Sequence, residues 1–321
     1  MTAHTAFFAG YATASSTVRV IAVAVILAGV WATDTTAQEL TPRFYWPAPE
    51  GTKVAVLGYS RSVGDVLFDP STPLFEVDSD IHTTLLAYMQ TFGLAGRTAN
   101  VLAELPYSWG TTTGYISEVA AETAARRNYS GLGDVKVTLS VNLVGAPTMT
   151  PEDFQALRAD PHPILGASIR IVAPTGRYDD DLLLNIGANR WAARLELGSA
   201  IPIHRKWVFE LAAGVWFFTD DDDFLTGRRE QEPIYAFQAH LVHRFKPGFW
   251  ASLDATYFTG GRQTIGGDRL SDDLHNSRIG AMVVVPFRGR YAIKIGYFIG
   301  ARTDYGNDFD QFLVTYQIVF K

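Results

Sequence analysis

The feature that most constrains this chain is a strict two-residue alternation of apolar and polar side chains, clearest at residues 190–203, RWAARLELGSAIPI. Apolar residues occupy the odd positions Trp191, Ala193, Leu195 and Leu197, and charged residues occupy the even positions Arg190, Arg194 and Glu196. Because successive side chains of a β-strand point to opposite faces, the pattern predicts a strand that separates two environments. These are either a protein core and water or lipid and a wet lumen.

The rest of the chain repeats this alternation. After residue 38 no apolar stretch approaches the roughly 20 residues of a membrane-spanning helix. We predict twelve strands whose lengths suit a tilted membrane-spanning strand of about 9–11 residues better than an ordinary strand of about 5–6. The predicted runs are 52–60, 82–93, 97–107, 133–145, 163–173, 188–200, 206–217, 233–245, 248–259, 275–286, 290–302 and 309–320.

The connections between these runs alternate in length. GLAG (93–96), IPIHRK (201–206), KPG (246–248) and RGR (288–290) are short, and most connections between them are long. Short turns at one end and long loops at the other are typical of bacterial barrels, whose termini lie at the short-turn end. The exception is 146–162, where Thr150 as N-cap and Pro151 at the first position predict a short helix at the short-turn end.

The two faces of the predicted strands differ in chemistry. One face is apolar and carries aromatic residues near the strand ends: Tyr107, Trp191, Trp207, Phe249, Tyr257, Tyr291 and Phe320. The other face carries charge at mid-strand: Glu104, Lys136, Arg170, Arg190, Arg194, Glu196, Glu210, Arg244, Asp254, Arg278 and Lys294. We therefore predict an all-β chain, a closed antiparallel transmembrane β-barrel of about 12 strands with short periplasmic turns and long extracellular loops. A secreted sandwich with charged outer faces is the alternative.

The N-terminus differs from the rest of the chain. Arg19 precedes an apolar run of 13 residues, VIAVAVILAGVWA (20–32), and Thr35 and Ala37 form a small-x-small cleavage pattern before Gln38. The run is too short for a typical spanning helix and fits a signal-peptide core. We predict a signal peptide at 1–37 and the barrel at 38–321, and an uncleaved anchor is the alternative.

Enzyme motifs are missing from the sequence. The chain has no cysteine, its seven histidines form no metal-ligand spacing, and Ser168 in GASIR lacks the second glycine of a serine-hydrolase turn. We therefore predict no catalytic residue, no metal site and no cofactor. The net charge of −6, with no basic cluster, argues against a nucleic-acid partner. Acidic runs at 179–181, 220–223 and 272–273 fall in the predicted long loops, where they are either solvated or hold divalent ions.

Four segments carry a family resemblance: PRFYWPAPEGTKVAVLGYSRSVGDVLFDP (42–70), FGLAGRTANVLAELPYSWG (92–110), GLGDVKVTLSVNLVGAP (131–147) and IVAPTGRYD (171–179). They resemble the family described as Putative MetA-pathway of phenol degradation, and the resemblance covers nearly all of the chain after the leader. It implies an outer-membrane β-barrel of a kind often described as a transporter, with some members encoded near aromatic catabolism genes. It supplies no catalytic motif.

Three functions remain open at this point. The first is an outer-membrane channel or transporter for small molecules, whose aromatic or hydrophobic character is implied by the resemblance alone. The second is a structural or surface-interaction barrel whose lumen is plugged by paired charges. The third is a membrane-embedded hydrolase. The eleven charges would line the pore, and seven cations against four acids predict a preference for anions or neutral solutes.

Further expectations concern the lumen and the partners. Trp216, Phe298 and Leu102 fall on the inner face, where they could form one apolar rung for an aromatic compound. Outer-membrane lipid and lipopolysaccharide are expected around the barrel. The final strand carries an aromatic residue, Phe320, next to its end, which is similar to the signal read by the barrel-assembly machinery.

Overall fold

The computed structural model describes residues 42–66, 74–118, 121–180, 182, 184–224, 227–303 and 308–320. The predicted signal peptide (1–37) lies outside these residues. Twelve strands form one antiparallel sheet: β1 (Lys53–Gly64), β2 (Leu74–Leu94), β3 (Arg97–Glu118), β5 (Val135–Val144), β6 (Ile164–Ala173), β7 (Ala192–His204), β8 (Trp207–Phe218), β11 (Ile234–Lys246), β12 (Phe249–Gly260), β15 (Leu274–Phe287), β16 (Tyr291–Arg302) and β17 (Phe309–Phe320). Each of the twelve predicted runs overlaps one of these strands.

The sheet closes on itself, which confirms the predicted barrel. β1 pairs with β17 over its whole length, from Lys53 opposite Phe320 to Gly64 opposite Phe309. On its other side β1 lies against β2, where the Tyr59 hydroxyl contacts His82 Nδ1 at 2.7 Å. A closed barrel leaves no unpaired strand edge facing lipid, where an unpaired backbone group would be costly.

Tight turns join the strands at the end of the barrel that carries the N-terminus of β1. The turn between β2 and β3 places Ala95 and Gly96 at φ values of 48° and 75°, and the turn between β15 and β16 places Arg288 and Gly289 at 48° and 77°. Two consecutive residues with positive φ define the turn that best matches the twist of a two-residue hairpin. These turns set the register of the strands that they join.

Five further strands lie outside the twelve-stranded barrel. β4 (Ala121–Leu132) pairs with the upper part of β3. β9 (Asp221–Phe224), β10 (Gly227–Gln231), β13 (Gln263–Ile265) and β14 (Asp268–Arg269) form a separate four-stranded sheet at the same end of the barrel. These segments were expected to be loops.

The faces of the strands match the predicted parity. Leu195 and Leu197 are 48% and 57% exposed, whereas Glu196 between them is 8% exposed. Apolar side chains that a soluble protein would bury therefore cover the outside of the barrel, as a lipid-facing surface requires.

One short helix interrupts the short-turn end. Helix α1 (Pro151–Ala159) begins after Thr150, whose hydroxyl accepts from the Asp153 N–H, while the Asp153 carboxylate accepts from the Thr150 N–H. This reciprocal capping confirms the helix that the sequence predicted. No helix within the described ranges has the length and apolar character needed to span a bilayer.

Candidate functional site

The eleven charged side chains predicted to line the lumen all lie on the inner side of the barrel or at its mouth. Nine are buried, and Arg244 and Lys294 are half-buried. The buried ones are Glu104, Lys136, Arg170, Arg190, Arg194, Glu196, Glu210, Asp254 and Arg278. Burial of this many charges requires that they contact each other or other polar groups, because an isolated buried charge is strongly unfavourable.

Several of these charges form close pairs on the inner face of the barrel, within one strand or across an intervening strand. The guanidinium of Arg170 lies 3.3 Å from the carboxylate of Glu104, and Arg194 pairs with Glu196. Arg170 and Arg194 are directly opposite each other in the register of β6 and β7. These two arginines therefore lie side by side on this wall of the lumen, but each is neutralised by its own carboxylate.

A second polar group lies on β11 and β12. His240 Nδ1 contacts one oxygen of Asp254 at 2.8 Å, and the Ser252 hydroxyl donates to the other oxygen at 2.9 Å. Sequence analysis placed Asp254 in the lumen but gave His240 no role. The strand parity that puts His240 inward and His243 outward was the available signal, and both orientations are observed.

Arg190 corrects one sequence-based expectation. It was predicted to lie within a strand, but β7 begins at Ala192 and Arg190 lies before it, at the extracellular end. Its guanidinium donates to Gln231 Oε1 at 2.5 Å and lies over the ring of Phe218. Asn189, with φ of 54°, turns the chain just before it. Arg190 therefore belongs to the mouth of the barrel rather than to the strand that carries Arg194.

The main feature that sequence analysis missed is the N-terminal plug, residues 42–50, which enters the lumen ahead of β1. Its Tyr45 is buried. The Tyr45 hydroxyl donates to Glu196 Oε1 at 2.9 Å and lies 3.0 Å from the Ser168 hydroxyl, and Asn142 donates to the Tyr45 carbonyl at 2.8 Å. One tyrosine thus connects the plug to strands β5, β6 and β7.

Two glycines form the surface on which the Tyr45 ring lies. Gly166 and Gly198 are opposite each other on β6 and β7. A Cβ on Gly198 would lie 2.0 Å from a Tyr45 ring carbon, and one on Gly166 would lie 2.3 Å from another. The ring occupies the space of two missing side chains, so neither glycine can be replaced without moving the plug.

Arg43 fixes the base of the plug. Its N–H donates to Glu210 Oε2 at 2.6 Å, and its guanidinium lies 4.9 Å from the ring centre of Trp46 and 5.6 Å from that of Trp250. Burial lowers the pKa of the Arg43 guanidinium to about 10, with Glu210 opposing the shift, so the group stays cationic at neutral pH. A cation between two indole rings is a favourable arrangement where water is excluded.

Apolar packing completes the closure at the periplasmic end. Leu157 of α1 and Met149 are buried in a cluster with Val208, Val242 and Phe298 on the barrel strands. Trp46 of the plug packs against the same cluster. The 146–162 connection and the plug together fill the end of the barrel that carries the short turns.

Little space is left beside the Tyr45 ring. A polar cavity lies beside Tyr45, and its lining includes Arg170, Arg194, Glu196, Glu210 and His240. It leaves about 30 Å³ for solvent, enough for one or two water molecules. The plug, rather than a barrel strand, fills the lumen beside this cavity.

The expected apolar rung is not formed. Trp216 packs with Ile234 and Phe258 in one buried cluster, whereas Phe298 belongs to the cluster around α1. Leu102 is half-buried and lies in neither. The three residues share a face orientation but not a level in the barrel.

The acidic loops are largely paired with arginines of the same loops. Asp220 and Asp222 contact Arg228, and Asp221 lies 3.1 Å from the buried guanidinium of Arg229. Asp273 pairs with Arg262. Within the described ranges, no three histidine or acidic side chains are grouped so that they could hold a metal ion.

Comparisons with known proteins agree with this architecture. A family model described as Putative MetA-pathway of phenol degradation matches residues 53–310. Among solved structures, an outer membrane channel from Pseudomonas putida F1 is similar, with 21% identity and a TM-score of 0.70 over 88% of this chain and 100% of that chain. No curated protein sequence matches the chain.

Two further structures are more distant. The transport unit of the autotransporter AIDA-I from Escherichia coli has 12% identity and a TM-score of 0.46, over 94% of this chain and 97% of that chain. The toluene transporter TodX of P. putida has 9% identity and a TM-score of 0.42, over 85% and 91%. We draw nothing from these two. The barrel is of the bacterial outer-membrane type, and because the family match runs from β1 into β17, the chain belongs to the Putative MetA-pathway of phenol degradation family.

Proposed function

We propose that the chain is an outer-membrane channel or transporter for small molecules and that the eleven inner charges line its path. The observation that carries this proposal is that a segment separate from the barrel strands fills the lumen. The segment that fills the lumen, residues 42–50, precedes β1 and is not one of the barrel strands. Its withdrawal would open the lumen and leave the barrel hydrogen bonds intact.

The contacts of the plug suit a reversible closure. They are mainly hydrogen bonds to side chains that also have partners on the barrel, such as Glu196, which pairs with Arg194 and accepts from Gln238. After withdrawal of Tyr45, these groups would remain partnered or meet water. The energetic penalty of leaving buried polar groups unsatisfied would therefore be small.

The family description bears on the class of solute. The family description refers to phenol degradation, and we propose hydrophobic or aromatic compounds among the transported molecules on that basis. The inner surface supports a solute with polar groups, because charged and polar residues together outnumber apolar ones around the cavity beside Tyr45.

Planar-bilayer recording of the refolded protein tests the proposal. We expect low or intermittent conductance from the wild-type protein and discrete, larger steps from a variant lacking residues 42–50. A Tyr45→Ala variant provides the same test with a smaller change, because it removes the anchor and keeps the segment. Silence from all three proteins, with folding verified by heat-modifiable migration on gels, would refute the proposal.

A closed barrel without transport is the second candidate, and one observation favours it. The inner charges are paired within the barrel itself, as in Arg170 with Glu104 and Arg194 with Glu196. If these pairs close the lumen on their own, removal of the plug would not produce conductance. The same recordings therefore separate the two candidates.

We propose that the chain is not an enzyme. The hydrolase hypothesis needs a serine bonded to a histidine, but Ser252 and His240 each bond Asp254 instead. Ser168 contacts Tyr45. Hydrolysis of a short-chain ester by purified protein, lost in a Ser252→Ala variant, would contradict this.

The surroundings of the barrel follow from its surface. We propose that the aromatic side chains Tyr59 and Trp109 on the outer face meet the lipid interface and that the exposed Arg126 above them meets lipopolysaccharide phosphates. The pairing of β1 with β17, which begins with Lys53 opposite Phe320, is the seam that the barrel-assembly machinery would close.

We also propose that residues 1–37 are a cleaved signal peptide. N-terminal sequencing of membrane-fraction protein would show Gln38 first, and a chain retaining residues 20–32 would contradict cleavage.

A further inference from the structure

A second cavity lies at the extracellular mouth, beside strand β4. β4 pairs with β3 along one edge, and among the described residues its other edge is contacted by Arg177, Leu184 and Ile186 of the β6–β7 loop rather than by a strand. The Arg177 N–H donates to the Leu132 carbonyl at 2.8 Å, where β4 ends. Between β4 and this loop is a cavity of about 230 Å³. It is smaller than the about 300–1,000 Å³ of pockets for drug-sized ligands.

Two arginines line this cavity. Arg127 donates to the Leu184 carbonyl, and Arg177 donates to the Ser130 carbonyl at 2.8 Å. No carboxylate of the described residues lies within 4 Å of either guanidinium. Since a guanidinium carries five N–H donors, each arginine retains donors for a ligand.

The electrostatics of the pair favour an anion. Burial lowers the pKa of Arg127, Asp179 opposes this shift, and the charge of Arg177 adds to it. The two cations therefore lie close enough to repel each other. An anion between them would relieve that repulsion and accept charge-assisted hydrogen bonds from both.

The other side of the cavity is apolar and aromatic. Leu184 and Ile186 are buried and line it together with Tyr129. The Tyr129 hydroxyl contacts Thr112 at 2.8 Å, which fixes the ring. Thr112 is buried on the inward face of β3, so the Arg127 side of β4 faces the interior of the barrel mouth.

Backbone contacts fix the position of Arg177. A Cβ on Gly131 would lie 2.9 Å from Arg177 Cδ, so the arginine lies in the space left by a missing side chain. The Gly187 N–H donates to the Arg177 carbonyl at 3.0 Å. Backbone contacts on both sides hold this residue over the cavity.

We propose that this cavity is a binding site for a small organic anion, with a carboxylate held between Arg127 and Arg177 and a flat apolar body against Tyr129 and Ile186. The site would collect such a solute before it enters the lumen, and this part of the proposal rests on the proposed channel function. Binding itself does not depend on transport.

Isothermal titration of the full-length mature protein in detergent tests the site with benzoate, its neutral analogue benzamide, and inorganic phosphate. We expect benzoate to bind the wild-type protein and to bind at least tenfold more weakly to Arg127→Gln and to Arg177→Gln. Arg126→Gln is the matched control, because Arg126 is adjacent but lies on the opposite face of β4. Benzamide should bind weakly to all four proteins.

Three results would overturn the proposal. They are failure of benzoate to bind the wild-type protein, equal loss in the Arg126→Gln control, and phosphate binding as tightly as benzoate, which would indicate a headgroup or phosphate site. Conductance separates this proposal from the channel function. If the wild-type protein binds benzoate but neither it, the variant lacking residues 42–50 nor Tyr45→Ala conducts, the channel proposal fails alone. If these proteins conduct and the wild-type protein does not bind benzoate, only the site fails.

Discussion

Adding one methyl group to Gly166 or Gly198 tests the closure, because the Tyr45 ring lies directly against both glycines. In Gly198→Ala the new Cβ would lie 2.0, 2.4 and 3.0 Å from three Tyr45 ring carbons. Non-bonded carbons rest at about 3.5–4.0 Å, so the ring must move by about 1.5 Å. The barrel backbone, held by strand pairing on both sides, yields less readily than the plug.

The magnitude follows from the contacts that this displacement breaks. The Tyr45 hydroxyl is 2.9 Å from Glu196 and 3.0 Å from Ser168, and a shift of about 1.5 Å takes both beyond hydrogen-bond distance. A hydrogen bond to a charged group contributes about 1.5–3 kcal/mol and a neutral one about 1 kcal/mol. A loss of about 3 kcal/mol would raise the ratio of open to closed molecules about 100-fold.

Single-channel recording measures this ratio directly as open probability. Gly166→Ala should act in the same direction, because its Cβ would lie 2.3 Å from the same ring. Gly58→Ala is the matched control, an inward-facing glycine whose Cβ would have its nearest contact, at 3.2 Å, with Leu85 rather than with the plug. If open probability is unchanged in Gly198→Ala, or rises equally in Gly58→Ala, the plug does not control the lumen.

Three further predictions concern facing, pH and selectivity. Leu195→Arg should lower the free energy of unfolding by about 2–4 kcal/mol, measured by urea titration in lipid vesicles, because it places a charge on the lipid face. Arg194→Leu combined with Glu196→Gln removes a buried ion pair without leaving a lone charge and should cost less. Equal losses would contradict the assignment of Leu195 to the lipid face and of Arg194 to the lumen. Burial and a neighbouring carboxylate raise the pKa of Asp65 to about 6, so its stabilising contribution is complete below about pH 4 and is lost as pH rises through 6. Amide protection factors at the rim, corrected for the intrinsic pH dependence of exchange, should be higher at pH 4 than at pH 7, and this difference should vanish in Asp65→Asn. Reversal potentials in a salt gradient should show anion preference, and Arg190→Gln with Arg194→Gln should reduce it; unchanged cation selectivity would show that the loop acids govern entry.

The alternation of apolar and polar residues predicted the barrel, because a strand between lipid and a polar lumen must alternate in this way. Leu195 and Glu196 had to face different solvents, and the structure places them so. The start of β7 was less predictable, because it depends on a local contact: the Trp191 N–H donates to the Thr219 hydroxyl at 3.0 Å outside the strand ladder. Alternation alone therefore extended the strand too far and placed Arg190 within it.

The plug could not be predicted in the same way. Its position depends on Gly166 and Gly198, which are more than 120 residues from Tyr45 in the sequence and lie side by side only after β6 and β7 pair. The small extracellular sheet was missed for another reason. Segments such as 227–231, GRREQ, carry no apolar side chain, and their buried residue, Arg229, is charged, so the alternation of apolar residues gives no signal there.

The long β3 strand has a consequence for how the molecule meets its environment. From Tyr107, at the outer aromatic level, β3 continues to Glu118, paired with β2 on one side and β4 on the other. Eleven residues at about 3.3 Å each carry this ribbon about 36 Å along the strand direction, past the level of the lipid. Its backbone hydrogen bonds are in water, so it should open locally far more often than the lipid-enclosed strands. At the cell surface, the extension formed by β2, β3 and β4 would therefore exchange its backbone amides faster than the membrane-spanning barrel. Antibodies or phages would contact this extension first.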